Sequence, residues 1–253
     1  MSKVGSLWIG DSLSRLEIMC LKSFLKNGYE VNLFVYDQVK NIPEGVIIRD
    51  GNEVLDSSEI YTYQNKSFSA ISNRFRFEMI KKTGLVWVDC DIFCIKYYNF
   101  DEETIVSEPN KKYEENKIGS CLIYLQNEEI LNYAIKKCIE YKEKILNGEV
   151  IWGIGPSVVK EIVEKNKLEK YVKNWQFASS CNCKHYKSLL NPDFKIKKEG
   201  PLEKPIFFNR VKDIPEETHF IHLWNEFFRK NKIDKNNFPE NSFLRELEKL
   251  TES

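Results

Sequence analysis

The sequence predicts an α/β fold in one domain, a mostly parallel central sheet flanked by helices. Three observations predict it. The first 50 residues alternate between short β-branched runs and a helical period. A second helical period hands over directly to an apolar run that ends in acid. No repeat, low-complexity tract or composition break divides the 253 residues, a length that buries one full core.

Residues 7–9 read as a short buried strand ending at Gly10, and Ser12 or Ser14 can cap the helix that follows. Leu13, Leu16, Cys20 and Phe24 keep helical spacing, and Gly28 ends the run. Residues 31–36 form the next strand, closing at Asp37, and 46–48 another. A second helix is expected over 67–82, stopped near Gly84, with Phe68, Ile71, Phe75 and Met79 as its core stripe. On it Ser72, Asn73 and Arg76 share one flank, while Arg74 and Glu78 meet at i,i+4 on the other side. Strands follow at 85–88 and 118–125, and helices at 128–146 and 156–165, the latter with Pro156 in its first turn. After Tyr186 the pattern loosens, leaving a last strand or extended segment at 219–223 and a terminal helix at 242–250.

The charge is balanced, 38 basic against 38 acidic residues, and this argues against a general nucleic-acid binder. Lys195, Lys197 and Lys198 fit a solvated face. No apolar run reaches the 18 or so residues of a membrane span, so the expected location is cytoplasmic, with peripheral association at the inner face of a membrane left open. Seven cysteines, an odd number mostly inside apolar patterns, read as thiols of a reducing compartment. Cys181, Cys183 and His185 form a C-x-C-x-H cluster that lacks the second pair of a usual zinc site.

The chemistry centres on GLVWVDCDIF, residues 84–93, where an apolar strand ends in Asp89 and Asp91. In open α/β sheets ligands bind beyond the carboxyl ends of strands, so this D-x-D faces a crevice. A divalent cation with oxygen ligands, Mn²⁺ or Mg²⁺, is the usual compensation for two close carboxylates, and such a cation commonly bridges to a diphosphate. Two solvated turn carboxylates are the plain alternative.

The segment FSAISNRFRFEMIKKTGLVWVDCDIF resembles the donor-sugar region of retaining glycosyltransferases of the GT-A fold. These are the sugar-binding D-x-D family of capsular and Golgi-type galactosyl-, mannosyl- and N-acetylglucosaminyltransferases, related to the large clostridial glucosylating toxins. That family pairs S-D-x-x-R on a helix with a D-x-D thirteen residues after the arginine, the spacing of Arg76 to Asp89. SLWIG, VNLFVYD, WGIGP (152–156) and HLWNE (222–226) are also similar. Where the family carries aspartate this chain has Asn73, which can hydrogen-bond a sugar hydroxyl without the charge-assisted strength of a carboxylate.

The resemblance implies a Rossmann-like GT-A domain over 1–253, with 1–100 the nucleotide-sugar half and 101–253 the acceptor half and C-terminal metal and phosphate segment. It implies a metal-dependent hexosyltransferase that uses a nucleotide diphosphate sugar, UDP-linked, to extend a glycan in polysaccharide biosynthesis. Asp91 is the expected direct ligand of Mn²⁺ or Mg²⁺, with Asp89 reaching ribose or sugar hydroxyls. Arg76 would grip donor hydroxyls or phosphate, and its alternative is a surface ion pair. Ser72 and Asn73 would complete the sugar pocket. Trp8, with Ile9 beside it, would stack on the base, against core packing as the alternative. Gly155 and Pro156 open a helix whose N–H groups suit anions or hydroxyl oxygens, and a structural turn fits equally. His222, Trp224 and Asn225 are the C-terminal candidates, and either His222 or Asn225 can complete the metal shell. Two other classes stay open: a non-catalytic sugar-nucleotide binder, and a phosphatase of the haloacid dehalogenase type, for which the later acidic motif is missing.

Overall fold

The computed structural model describes residues 2–109, 116–150, 153–191, 193 and 208–252. The chain opens with β1 (Lys3–Trp8), α1 (Arg15–Lys26), β2 (Glu30–Val35) and β3 (Ile47–Asp50). Then come α2 (Ser69–Thr83), β4 (Val86–Val88), β5 (Ile92–Cys94), β6 (Thr104–Pro109) and β7 (Asn116–Tyr124). The remainder holds α3 (Glu128–Leu146), α4 (Ile154–Asn166), β8 (Val172–Lys173), β9 (Phe220–His222), α5 (Asn225–Lys230) and α6 (Phe243–Glu252).

Seven strands form the central sheet in the order β3-β2-β1-β4-β7-β6-β8. β3, β2, β1 and β4 run parallel; β7 pairs antiparallel with β4 and β6, and β8 returns to parallel against β6. The chain moves outward from β1 to β2 and β3, then crosses to β4 on the other side of β1. The carboxyl ends of β1 and β4 therefore flank the point where the strand order reverses, which is where such sheets bind ligands. A separate antiparallel ribbon, β5 with β9, stands at that end.

Local chemistry explains the elements that position the site. Ser14, rather than Ser12, starts α1 through a capping box with Glu17. α2 ends where Gly84 takes φ 69°, a left-handed cap cheap only for glycine, and the chain turns at once into β4. Along β4 the side chains alternate: Trp87 joins the core under α2, α3 and α4, while Val86 and Val88 join the core on the α1 face. A third core holds the C-terminal segment down, with Phe93 of β5 and Ile221 of β9 packed among Leu16, Met19, Phe228 and Phe243. Burying each such side chain is worth roughly 1.5–3 kcal/mol. No helix among the described residues is long and apolar enough to cross a membrane.

Most expected elements are present with shifted ends. β1 starts four residues before the expected 7–9 run: Val4 is fully buried, more so than Leu7, Trp8 and Ile9, and pairs with β2 and β4. The α3 span matches the reading at 128–146. β5, β6, β8 and α5 were not anticipated; two of them are only two or three residues long and stand in the ladder through their partners.

Candidate active site at the acidic tip

β4 delivers Asp89 and Asp91 in a tight turn. The Asp89 N–H donates to Cys121 O at 2.8 Å, and the Ile92 N–H closes the turn onto Asp89 O at 3.0 Å. Cys90, between the two acids, is buried and points its Sγ at Leu7 O, 3.4 Å away. The cysteine anchors the turn to β1, and its two neighbours face the other way, into the crevice.

Asp89 is held by two groups. The Trp87 indole N–H donates to its Oδ1 at 2.6 Å, and Arg76 Nη2 lies 3.5 Å from the same oxygen. Arg76 is itself 3% exposed: Nη1 donates to Ser120 O at 2.7 Å, Nε to Ser72 O at 3.3 Å, and the guanidinium lies 5.1 Å from the Trp87 ring centroid. It is a fixed cation built into the cleft wall, and not a surface ion pair. The pair expected on the other side of α2 also forms, Arg74 Nε to Glu78 at 3.4 Å. Although 29% of the Asp89 side chain stays open to the cleft, burial raises its carboxyl to about 6 against the pull of Arg76.

Asp91 is bound by the C-terminal segment. In the β5–β9 ribbon Ile92 pairs with His222, and the Leu223 N–H donates to Asp91 O at 2.9 Å. The Asn225 N–H donates to Asp91 Oδ2 at 2.7 Å, and His222 Nε2 lies 3.4 Å from that oxygen. Trp224 takes φ 59° to bring Asn225 round, a left-handed conformation worth about 1–2 kcal/mol of strain in a non-glycine residue. Its indole N–H is satisfied by Cys181 O at 3.1 Å, and its ring lies against that of His222, centroids 3.9 Å apart.

Burial opposes charge on both Asp91 and His222. The imidazole and the Asn225 N–H outweigh it at Asp91, whose carboxyl sits below its ordinary value. At His222 the neighbouring Cys121 and Asp91 outweigh it, and the imidazole sits well above its ordinary value. Across the ring, His222 Nδ1 lies 3.7 Å from Glu108 Oε1 and hydrogen-bonds to no described protein atom. The Asn225 Oδ1 is likewise buried without a partner.

Two adjoining cavities meet at this wall. The larger, about 430 Å³, is lined by Asn73, Gly155, Pro156, His222 and Trp224. The smaller, about 270 Å³, is lined by Trp8, Ile9, Ser72 and Asn225. Arg76, Asp89 and Asp91 line both. All the sequence-predicted site residues thus gather here, with one refinement: Ser72 and Asn73 share a flank of α2 but open onto different cavities. Asn73 donates to the Tyr63 hydroxyl at 3.3 Å, and its Oδ1 would stand 2.4 Å from a Cβ at Gly155. The absent side chain at 155 keeps that corner open. In the smaller cavity, Trp8 is half-buried with Lys235 Nζ 5.4 Å from its ring centroid, and its Nε1 has no described partner.

Asp89, Asp91 and His222 each offer a ligand atom within 4.8 Å of the other two. Two carboxylates and an imidazole form a set that a Mg²⁺- or Mn²⁺-class cation can use. Cys181, Cys183 and His185 form no such group among the described residues, and Cys181 is fully buried. Trp152 of the WGIGP motif and Lys195, Lys197 and Lys198 lie outside the described residues. Sequence reasoning missed Glu108, Cys121, Glu226 and Lys235. Each is an ordinary residue in its local pattern, and only the fold brings it to the cleft.

No protein-family model matches the chain, and no curated protein does. Among solved structures it is similar to the PaToxG glycosyltransferase, with 16% identity over 65% of this chain and 69% of that one and a TM-score of 0.47. It is also similar to the glycosyltransferase GlyE in Streptococcus pneumoniae TIGR4, with 13% identity, 99% of this chain covered and a TM-score of 0.46; the chain spans 64% of that structure's length. Likenesses this distant carry no residue roles to this cleft, whose chemistry rests on its own side chains.

Proposed function

We propose that the chain is a metal-dependent glycosyltransferase that moves a hexosyl unit from a nucleotide diphosphate sugar, of the UDP class, to a hydroxyl of a glycan. One observation carries the reading: the two aspartates and Arg76 form the wall common to two adjoining cavities, with His222 and Asn225 completing it. A nucleotide diphosphate sugar has the matching shape, an aromatic base, a central diphosphate and a polyhydroxyl ring. Trp8 and Ile9 receive the base in the smaller cavity by stacking. The hexose enters the larger one, where Asn73 and Asp89 orient hydroxyls and Gly155 gives close backbone approach. Arg76, buried and fully oriented, holds its charge toward the diphosphate without reorganising.

Asp91, with His222 or Asn225, would hold Mn²⁺ or Mg²⁺, which would supply positive charge against a departing diphosphate. Retention at the anomeric carbon rests on the resemblance of the S-N-x-x-R helix and the D-x-D to retaining enzymes. No general base is assigned; in a retaining reaction the departing phosphate oxygen can accept the acceptor's proton.

The test is thermal stability with UDP, with and without Mn²⁺, followed by a screen of sugar nucleotides for slow metal-dependent hydrolysis. Saturating ligand at about 100 times its dissociation constant adds roughly 2.7 kcal/mol. Asp91→Ala should remove the Mn²⁺-dependent part while circular dichroism stays unchanged. Retention of the full metal effect in that variant would refute the metal assignment. UDP binding with no turnover on any donor or acceptor would move the reading to a sugar-nucleotide binder, which the Asn73 substitution favours.

A further inference from the structure

His222 presents its two ring nitrogens to two different sets of ligands. Nε2 faces Asp91, as above. Nδ1 faces Glu108 at the end of β6, and Cys121 of β7 lines the same cavity. One oxygen of Glu108, Cys121 Sγ and a His222 nitrogen lie within 4.8 Å of one another. We propose that Glu108, Cys121 and His222 form a second cation site, for a zinc-class divalent ion, on the side of the larger cavity away from Asp91.

Four observations carry this. The donor set of carboxylate, thiol and imidazole matches a borderline-soft cation, whereas the Asp89–Asp91 side is oxygen-rich and suits harder ions. The spacing fits, since zinc bonds of about 2.0–2.3 Å place tetrahedral ligand atoms roughly 3.3–3.8 Å apart, and Glu108 Oε1 stands 3.7 Å from His222 Nδ1. His222 is 8% exposed and its Nδ1 is buried without a described hydrogen-bond partner, a ring nitrogen facing Glu108. Finally, all three residues stand on strands, which hold ligands more precisely than loops do.

Three protein ligands leave the fourth position of a tetrahedron open toward the cavity, the arrangement of an exchangeable site and not of a closed structural one. Binding displaces protons to solvent, one from Cys121 Sγ–H as the sulfur–metal bond forms and one from His222 Nδ1–H as the nitrogen–metal bond forms, with no change of oxidation state. Because one imidazole serves both sets, a zinc-class ion on Nδ1 leaves Nε2–H donating to Asp91 and unavailable as a ligand there. The site is thereby a means for a soft cation to oppose a hard one across a single ring.

The test uses the full chain, freed of metal and titrated with Co²⁺ as a spectroscopic substitute for zinc, with no nucleotide present. A thiolate-to-cobalt charge-transfer absorption should appear, saturate at one equivalent and vanish on adding Zn²⁺. Cys121→Ser, which keeps the side-chain volume, should abolish the absorption with an unchanged circular dichroism spectrum. Cys183→Ser, altering the other cysteine that lines the cavity, should retain it. Second-sphere partners alone are worth about 10–100-fold in metal affinity, so Glu108→Gln should weaken Co²⁺ by at least about tenfold. Absence of the band in the unaltered chain, its survival in Cys121→Ser, or its loss in Cys183→Ser alone would overturn the proposal. None of these outcomes depends on donor binding, so the site and the glycosyl-transfer reading fail separately.

Discussion

Asp89 should make the metal-free protein less stable as pH rises, and Asp89→Asn should remove that dependence. Its carboxyl lies at about 6 in the folded state against an ordinary value of 3.8. Between those values the folded chain binds more protons than the unfolded one, so stability falls as pH increases. The protonated form's contribution is fully present below about pH 4 and is lost as pH passes 6. A shift of about two units corresponds to about 3 kcal/mol in all. Integrated over the accessible range from pH 4.5 to 7.5, the loss is about 2 kcal/mol. Urea denaturation of both proteins in EDTA across that range measures it. The absolute stabilities of the two will differ, because Asn cannot pair with Arg76, but the difference between them should change by about 2 kcal/mol with pH. A difference flat to within about 0.5 kcal/mol, the usual spread for independent sites, would refute the assignment of burial as the dominant influence on Asp89.

Three further outcomes follow from the same geometry. Gly155→Ala puts a Cβ 2.4 Å from Asn73 Oδ1 and 2.8 Å from Ser120 Oγ, overpacking worth about 1–3 kcal/mol; donor turnover should fall while the affinity for UDP, which lacks the hexose, stays put. Arg76→Lys keeps the charge but loses the fork that reaches both Ser120 O and Asp89, at about 1.5–3 kcal/mol, so kcat/KM should drop roughly 10- to 150-fold. Trp8→Ala removes base stacking worth about 1–3 kcal/mol and should weaken UDP accordingly in calorimetry; a stability loss with unchanged UDP affinity would mean the ring serves packing alone.

Much of the cleft was legible because its residues announce themselves locally. An apolar strand that ends in two acids is costly without a compensating partner, and the helical arithmetic placing Arg76 on the flank opposite Arg74 required only the 3.6-residue period. The structure adds the answer to the odd residue between the acids, since Cys90 faces the core and pins the turn to Leu7. The sequence left open whether His222 or Asn225 completes a metal shell with Asp91; the fold brings both to that carboxylate, one through its ring and one through its backbone N–H. Glu108 and Cys121 could not be read in advance. Each sits in an ordinary strand pattern, and their meeting depends on the register of β6 against β7 and on where β9 docks, which are long-range properties. The short strand β5 was equally hidden: three residues have no period to detect, and it stands only through its pairing with β9.

The pairing of Ile92 with His222 joins positions 130 residues apart, and this sets the order in which the cleft can come into being. A chain emerging from the ribosome presents its acidic tip long before the segment that neutralises it has been made. Until residues 220–225 arrive and lie beside β5, Asp91 has neither imidazole nor amide to face. The two carboxylates therefore mature at different times: Asp89 has Trp87 and Arg76 from the outset, whereas Asp91 gains its partners only when synthesis has run past residue 225.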